Sequence, residues 1–280
     1  MARRPHVLVY DSGLGGLSVA RALRRLGEGK VRLSYLADTG GFPYGDWAEA
    51  DLRRRILALM RRAIETVRPD VVVIACNTAT VTALAHLRAA FDVPFVGTVP
   101  AIKPAAHATR SGIIGVLATP STVRREYTEM LIHTYAFHHR VVLHGAVGLA
   151  RLAERRLAGE PVAAEAIAAE IAPAFVRERD GRRTDVLVLG CTHYPLIRAE
   201  IEAAAPWPVT VIDPSEAIAR RALEVAATCR ADAGDGGKPG ADSSAGWVTD
   251  AAGQARLAET LAREGFSPVG ILSLSDLERP

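Results

Sequence analysis

Two of the three cysteines in this chain follow apolar runs of strand length. Cys76 ends the run that begins at Val71, and Cys191 ends the run that begins at Asp185. In both cases small polar residues and a helical pattern come next. Alpha/beta proteins bind ligands beyond the carboxyl ends of parallel strands, and the N-terminus of a helix at that point favours a thiolate. The matched settings predict that both thiols serve one reaction.

Two equivalent thiols suit a symmetric reaction, whereas a hydrolase needs only one nucleophile. In a racemisation, one thiolate removes the proton next to a carboxylate and the other thiol delivers a proton to the opposite face. That proton is a weak acid, so the carbanion-like state requires positioned donors and exclusion of water. A hydrolase stays open as an alternative, because His193 lies two residues after Cys191 and is a candidate base.

Other polar residues at predicted strand ends complete the candidate site. Asp11 and Ser12 follow the first apolar run and are suited to hold an ammonium group, while His193 is suited to assist Cys191. Hydrogen bonds to a substrate are expected from Asn77, Thr78, Thr119 and Thr192. Tyr44, between Pro43 and Gly45, is either a ligand contact or a packed anchor of its loop.

Glycines 13, 15 and 16 form a turn between the first strand and the first helix. The third glycine of a dinucleotide-binding fingerprint is missing, so we expect close backbone approach of a small ligand rather than of a nucleotide.

Apolar strand patterns alternate with helical patterns along the whole chain, which indicates an α/β fold. The pattern predicts two similar doubly wound α/β domains that face each other across an active-site cleft. The first domain is expected to comprise residues 1–98 plus 209–280, and the second residues 99–208. We expect a helix over residues 162–179 and a flexible loop over residues 231–246, which are rich in Gly, Asp and Ser. Arginines 53–55 are expected on a solvated helix face.

Composition excludes several classes of protein. Among 280 residues, 34 basic and 31 acidic side chains leave a net charge of +3, too balanced for a nucleic-acid-binding protein. No apolar run is long enough for a membrane span, and the N-terminus does not resemble a signal peptide, so we expect a cytoplasmic protein. Three cysteines without a Cys-x-x-Cys spacing predict free thiols and no metal site. The adjacent histidines 138 and 139 have no further ligand at suitable spacing.

Five motifs in order resemble the glutamate racemases of the cofactor-independent aspartate/glutamate racemase superfamily. They are residues 11–17 (DSGLGGL), 43–45 (PYG), 76–79 (CNTA), 119–120 (TP) and 190–195 (GCTHYP). The resemblance implies interconversion of L- and D-glutamate without a cofactor. D-glutamate would then serve peptidoglycan synthesis and so the cell wall and cell shape. It also implies a small-molecule substrate, no nucleic-acid or membrane partner, and a homodimer.

By the same resemblance, Cys76 and Cys191 are the two proton donors and acceptors. Asp11 is the expected helper of Cys76, and His193 that of Cys191. The residues implied to line the substrate site are Asp11, Ser12, Tyr44, Gly45, Asn77, Thr78, Thr192 and His193.

One element departs from the family pattern. Many members carry a Cys-Pro element before a glutamate in the second domain, and residues 144–154 lack it. Glu154 is therefore either that assisting acid or a solvated helix residue. Two further hypotheses about the function stay open. The protein is a superfamily enzyme that acts on another acid such as aspartate, or it is a two-domain protein that binds a small anion without converting it.

Overall fold

Strands and helices alternate through the computed structural model, which describes residues 3–123, 126–232 and 244–274. The strands are β1 (His6–Asp11), β2 (Arg32–Ala37), β3 (Val71–Ile74), β4 (Phe95–Gly97), β5 (Ile113–Ala118), β6 (Arg140–Gly145), β7 (Val186–Gly190), β8 (Thr210–Ile212), β9 (Gly246–Val248) and β10 (Val269–Ile271). The α-helices are α1 (Leu17–Gly27), α2 (Glu49–Val67), α3 (Asn77–Ala90), α4 (Ile102–Ala108), α5 (Pro120–Val123), α6 (Glu126–Tyr135), α7 (Leu149–Leu157), α8 (Ala164–Ile171), α9 (Arg198–Ala204), α10 (Ser215–Asp232) and α11 (Ala251–Arg263).

The chain divides into two units. The first comprises the described residues up to Thr98 and from Ser215 onward, and the second comprises Val99–Pro214. The first unit contains a six-stranded parallel sheet in the order β10-β9-β2-β1-β3-β4. Every residue of β1 and β3 is buried, because a central parallel strand is covered on both faces.

Helices cover the first sheet on both faces. Leu8 and Tyr10 share a core cluster with the inner faces of α2 and α3. Helix α1 packs against α10, which also contacts β1 and β3. Helix α2 ends at Val67, because Pro69 disfavours the helical conformation of Arg68. Arg68 adopts a left-handed φ of 49° and donates its backbone N–H to the carbonyl of Ile64.

The second unit contains a four-stranded parallel sheet in the order β6-β5-β7-β8. One core cluster joins this sheet to α7, α8 and α9, and another joins it to α4 and α6. The predicted α/β fold with parallel sheets is therefore confirmed.

The expected boundary at residue 209 is wrong. Residues 209–214 belong to the second unit and not to the first, because β8 pairs with β7 through the register Val186↔Thr210. The chain returns to the first unit at α10 instead. The alternation of strand and helix does not reveal this, because a short edge strand has the same local pattern in either sheet.

Two other expectations need correction or qualification. The helix expected over 162–179 ends at Ile171, and a 3-10 turn follows at Ala172–Ala174. Pro173 stops the helix because it lacks a backbone N–H and crowds the preceding turn. Of the expected loop over 231–246, residues 233–243 lie outside the described residues, while α10 runs to Asp232 and β9 begins at Gly246.

Within the described ranges, no helix combines the length and apolar character needed to cross a membrane.

Candidate active site

Cys76 lies where β3 gives way to α3. It is the N-cap residue of this helix, and its sulfur accepts the backbone N–H of Ala79 at 3.5 Å. Its thiol also lies 3.9 Å from the hydroxyl of Ser12. The side chain is buried to 6% exposure. An N–H donated to sulfur at the positive end of a helix dipole stabilises a thiolate, so this position suits proton transfer.

Asp11 ends the neighbouring strand β1 and is fully buried. The pairing Tyr10↔Ile74 places Asp11 and the residues leading to Cys76 at the same edge of the sheet. The Asp11 carboxylate accepts the backbone N–H of Gly13 at 2.9 Å, which holds the glycine turn against the strand end. Asn77 and Thr78 form the first turn of α3 and are also buried. The structure thus gathers the predicted residues of the first unit at one sheet edge.

The loop after β2 carries Tyr44 and Gly45 in a 3-10 turn. The Tyr44 side chain is 2% exposed, and its hydroxyl donates to Asp38 at 2.5 Å and contacts the hydroxyl of Tyr10. Burial first and the charge of Asp38 second raise the pKa of both phenols well above 10, so both stay protonated. These contacts favour the packed-anchor interpretation of Tyr44, and Gly45 is the more accessible residue of the pair.

Cys191 follows β7 in the second unit and is likewise 6% exposed. Its sulfur lies 3.8 Å from Nδ1 of His193, whose Nε2 lies 3.1 Å from Oε1 of Glu154. An ionised carboxylate only accepts hydrogen bonds, so Nε2 carries the proton and Nδ1 offers its lone pair to the thiol. His193 can therefore take the thiol proton while Glu154 stabilises the resulting charge.

Glu154 is positioned by α7 and is 9% exposed, which excludes the solvated-helix interpretation. The missing Cys-Pro element does not prevent α7 from presenting this carboxylate to His193.

Threonines complete the second unit's sheet edge. Thr192 is buried beside Cys191, and Thr119 follows β5, which pairs directly with β7. The Thr119 hydroxyl contacts those of Ser121 at 3.2 Å and Thr122 at 2.9 Å. Tyr194 is fully buried, and its hydroxyl donates to the carbonyls of Ala118 at 3.3 Å and Ala146 at 3.4 Å.

The two cysteine settings are less alike than the sequence predicts. Cys76 caps α3 directly, whereas Cys191 is followed by a 3-10 turn at Tyr194–Ile197, and α9 begins only at Arg198. Of the two thiols, only that of Cys76 therefore lies at the N-terminus of an α-helix. Cys191 lies instead beside His193, which contacts Glu154.

Sequence reasoning missed the buried group around Asp38. Arg55 was expected on a solvated face, but its side chain is 6% exposed and forms a bidentate ion pair with the fully buried Asp38. Burial opposes the charge of Arg55, yet its hydrogen bonds to Asp38 outweigh burial and raise its pKa. Asp38 follows β2 directly, one residue beyond the pairing of Asp11 with Ala37, so an aspartate at the end of each of two neighbouring strands was an available signal.

The part of the chain that the structure describes has no group of three or more His, Cys, Asp or Glu side chains that could hold a metal ion.

Comparison with known proteins adds independent findings. The model of the Asp/Glu/Hydantoin racemase family matches residues 18–222. A Brucella anthropi protein named glutamate racemase is 51% identical over 232 residues, which cover 82% of each sequence. The chain belongs to the Asp/Glu/Hydantoin racemase family. The predicted resemblance is thus confirmed at the level of the family.

Solved structures of this racemase family share the fold. Escherichia coli glutamate racemase, in complex with L-glutamate and activator UDP-MurNAc-ala, matches with a TM-score of 0.87 and 37% identity, over 96% of this chain and 98% of that one. The glutamate racemase isoform RacE1 from Bacillus anthracis matches with a TM-score of 0.77 and 26% identity, over 97% of this chain and 98% of that one.

Proposed function

We propose that this protein is a glutamate racemase that interconverts L- and D-glutamate with Cys76 and Cys191 as its two proton-transfer groups. The observation that carries the proposal is the pair of buried thiols, each at the carboxyl end of a parallel strand and each with its own polar helper. Relatives named glutamate racemase support glutamate as the substrate.

The proposed reaction exchanges one proton for another at the α-carbon. One thiolate removes the α-proton and becomes a thiol, which leaves a planar carbanion-like carbon. The other thiol donates its proton to the opposite face and becomes a thiolate. The configuration is inverted, and the protonation states of the two thiols are exchanged. The reverse reaction uses the same groups in opposite roles.

The helpers of the two thiols differ in kind. Asp11 assists Cys76 from the neighbouring strand, and the first turn of α3 adds N–H groups. His193 takes the proton of Cys191, and Glu154 balances the imidazolium charge across the 3.1 Å contact. The residues proposed to hold glutamate are Ser12, Gly45, Asn77, Thr78, Thr119 and Thr192, with Tyr44 anchoring its loop. A carboxylate held by N–H and hydroxyl donors is more readily deprotonated at its α-carbon, because the donors stabilise the developing charge.

Isotope exchange tests the proposal directly. Purified protein is incubated with L-glutamate in deuterated water without added pyridoxal phosphate, and D-glutamate is quantified by chiral chromatography with mass detection. We expect D-glutamate with deuterium at Cα. Folded protein that yields neither D-glutamate nor exchange would refute the function. Turnover of L-aspartate in place of glutamate would assign another substrate of the family.

Serine variants of the two cysteines test the mechanism separately. Cys76→Ser and Cys191→Ser should each lower racemisation by about a thousandfold or more, because a hydroxyl is a far weaker acid than a thiol. Cys229→Ser is the matched control, since Cys229 lies on α10 and its sulfur contacts the carbonyl of Asp70 instead. Near-normal turnover in either active-site variant would rule out the two-thiol mechanism.

We further propose that the protein acts in the cytoplasm, where reducing conditions keep the three cysteines free, and supplies D-glutamate for peptidoglycan. A homodimer stays a prediction from the resemblance. Light scattering coupled to size-exclusion chromatography distinguishes a dimer from the 29.8 kDa monomer.

A further inference from the structure

We propose that Thr249, in the C-terminal part of the chain, is a positioning residue of the active site. It acts through Asp38 on the loop that carries Tyr44 and Gly45. The role in catalysis rests on the proposed racemase function, and the contacts that define it lie wholly within the first unit. Residues beyond 222 lie outside the range matched by the family model, so neither the family match nor the sequence motifs assign Thr249 a role.

Asp38 is the centre of these contacts. Its fully buried carboxylate accepts two hydrogen bonds from Arg55, at 2.7 and 2.5 Å, and one from Thr249 at 2.7 Å. The fourth comes from the hydroxyl of Tyr44 at 2.5 Å. Because a buried carboxylate is costly unless its oxygens are satisfied, these donors hold one another in place around it.

The fourth donor connects this centre to the candidate substrate loop. Tyr44 gives its only hydroxyl proton to Asp38, so Tyr10 must donate in the contact between the two phenols. Tyr10 directly precedes Asp11, and the backbone N–H of Asp38 donates to the carbonyl of Asp11 at 2.9 Å. The loop around Gly45 is thereby joined to the strand end that carries the proposed helper of Cys76.

The fold brings Thr249 to this point through strand register. Strand β9 pairs with β2 so that Val248 lies opposite Ala37. Thr249 and Asp38 are the next residues on the two parallel strands and therefore emerge side by side. Besides donating to Asp38, the Thr249 hydroxyl accepts the backbone N–H of Gly40 at 2.9 Å.

The loop backbone is packed closely around the same groups. The Thr249 backbone N–H donates to the hydroxyl of Thr39 at 3.3 Å. A β-carbon added to Gly41 would lie 2.5 Å from Asp38 and 2.8 Å from Arg55. Loss of the Thr249 hydroxyl therefore removes one donor from Asp38 and the acceptor of Gly40 in a loop without spare room. We infer that the loop then shifts and carries Gly45 with it.

The test compares Thr249→Val, which removes the hydroxyl at nearly constant volume, with Thr249→Ser, which retains it. Thr260→Val is the matched control, because Thr260 is a similarly buried threonine on α11 whose hydroxyl accepts from Arg263. We expect Thr249→Val to raise KM for glutamate by about tenfold, with a smaller effect on kcat, because small displacements of binding groups weaken productive binding. Thr249→Ser and Thr260→Val should stay within about twofold of the parent protein.

Hydrogen exchange provides a readout that does not depend on activity. Amides in peptides covering residues 38–47 should exchange at least about tenfold faster in Thr249→Val than in Thr260→Val, because the loop opens more often when it loses these bonds. If the valine variant does not fold, Thr249→Ala is compared with Thr249→Ser under the same measurements.

Each outcome decides one statement. If the parent protein racemises glutamate and Thr249→Val keeps its KM and its exchange rates, the positioning role is overturned while the racemase function stands. If Thr249→Ser behaves like Thr249→Val, the hydroxyl is not responsible and the inference also fails. If folded parent protein does not racemise glutamate, the proposed function fails, and the exchange comparison still decides whether Thr249 holds the loop.

Discussion

His6 makes the stability of the first unit depend on pH, at the end of β1 opposite to the candidate site. It is 2% exposed, and its Nε2 lies 2.8 Å from the hydroxyl of Ser34. Arg32 donates to Nδ1 at 2.8 Å, so the neutral ring must carry its proton on Nε2. Burial first and the charge of Arg32 second lower the pKa of His6 from 6.5 to about 4, although Asp70 opposes this shift.

The direction and size of the effect follow from this pKa. In the unfolded chain His6 takes up a proton near pH 6.5, whereas in the folded protein it does so near pH 4. Between these values the unfolded state binds more protons, so acidification favours unfolding. A tenfold change in proton affinity is worth about 1.4 kcal/mol, so the difference in pKa lowers the free energy of unfolding by about 3 kcal/mol at low pH. This loss of stability is negligible above pH 7, grows as the pH falls from 6.5 to 4 and is constant below pH 4.

The matched variant is His6→Gln, which offers a donor and an acceptor but does not titrate. Urea unfolding of both proteins is measured from pH 7.5 to pH 4. The Gln substitution has its own cost, but that cost is independent of pH. We therefore expect the difference in unfolding free energy between the two proteins to shift by about 3 kcal/mol in favour of His6→Gln at pH 4. Other titrating groups, such as the carboxylates, are common to both proteins and cancel.

NMR of the His6 ring carbons measures the same pKa in the folded protein. Two results would refute the reasoning: titration of His6 near pH 6.5 in the folded state, or pH profiles of the two proteins that run parallel to within about 0.5 kcal/mol. Either would mean that burial and Arg32 do not act on the ring as the contacts indicate.

Three further predictions concern the site and its support. Glu154→Gln retains a hydrogen-bond acceptor for His193 but removes the negative charge. Steady-state assays should show kcat/KM falling about tenfold or more, equally for L- and D-glutamate because the equilibrium constant of the reaction is unchanged. Unaltered rates would contradict the role of Glu154 in assisting His193. Gly190→Ala would place a β-carbon 2.8 Å from a backbone carbonyl of the neighbouring strand, so thermal unfolding should reveal a loss of about 1–3 kcal/mol. Arg55→Met should lower the free energy of unfolding by about 3–5 kcal/mol, because the buried Asp38 loses its ion-pair partner. Chemical denaturation should show a smaller loss when Asp38→Asn is added to Arg55→Met, because no charge is then left unpaired. A double variant whose loss equals the sum of the two single losses would contradict that account.

Much of the candidate site follows from local sequence. Apolar runs locate the strands, and chemistry-bearing residues stand where those runs end: Asp11 at the end of β1, Cys76 after β3 and Cys191 after β7. The location of the site can be predicted from such positions because the carboxyl ends of parallel strands share one edge of a sheet. The catalytic roles of these residues stay predictions until the variants are assayed.

Local patterns gave wrong answers where a residue's partner lies far along the chain. Arg55 sits in a run of three arginines and resembles a solvated face, but Asp38 makes its burial favourable. For Glu154 the local pattern left two interpretations open, and the structure favours the assisting acid, because Nε2 of His193, 39 residues later, lies 3.1 Å from its carboxylate. The overlong helix over 162–179 has a different origin, since Pro173 was a local signal that the periodicity obscured.

The sequence by itself determined the alternation of strands and helices, the two cysteine positions and the racemase family. Those features depend on apolar periodicity and on motifs a few residues long, which are local properties of a chain. Only the tertiary structure decided that β8 joins the second sheet, that His193 lies between Cys191 and Glu154, and that Thr249 meets Asp38. Strand register sets the first and third of these contacts, and the packing of α7 against the turn after β7 sets the second. Register and packing join segments up to 211 residues apart, which no local pattern describes.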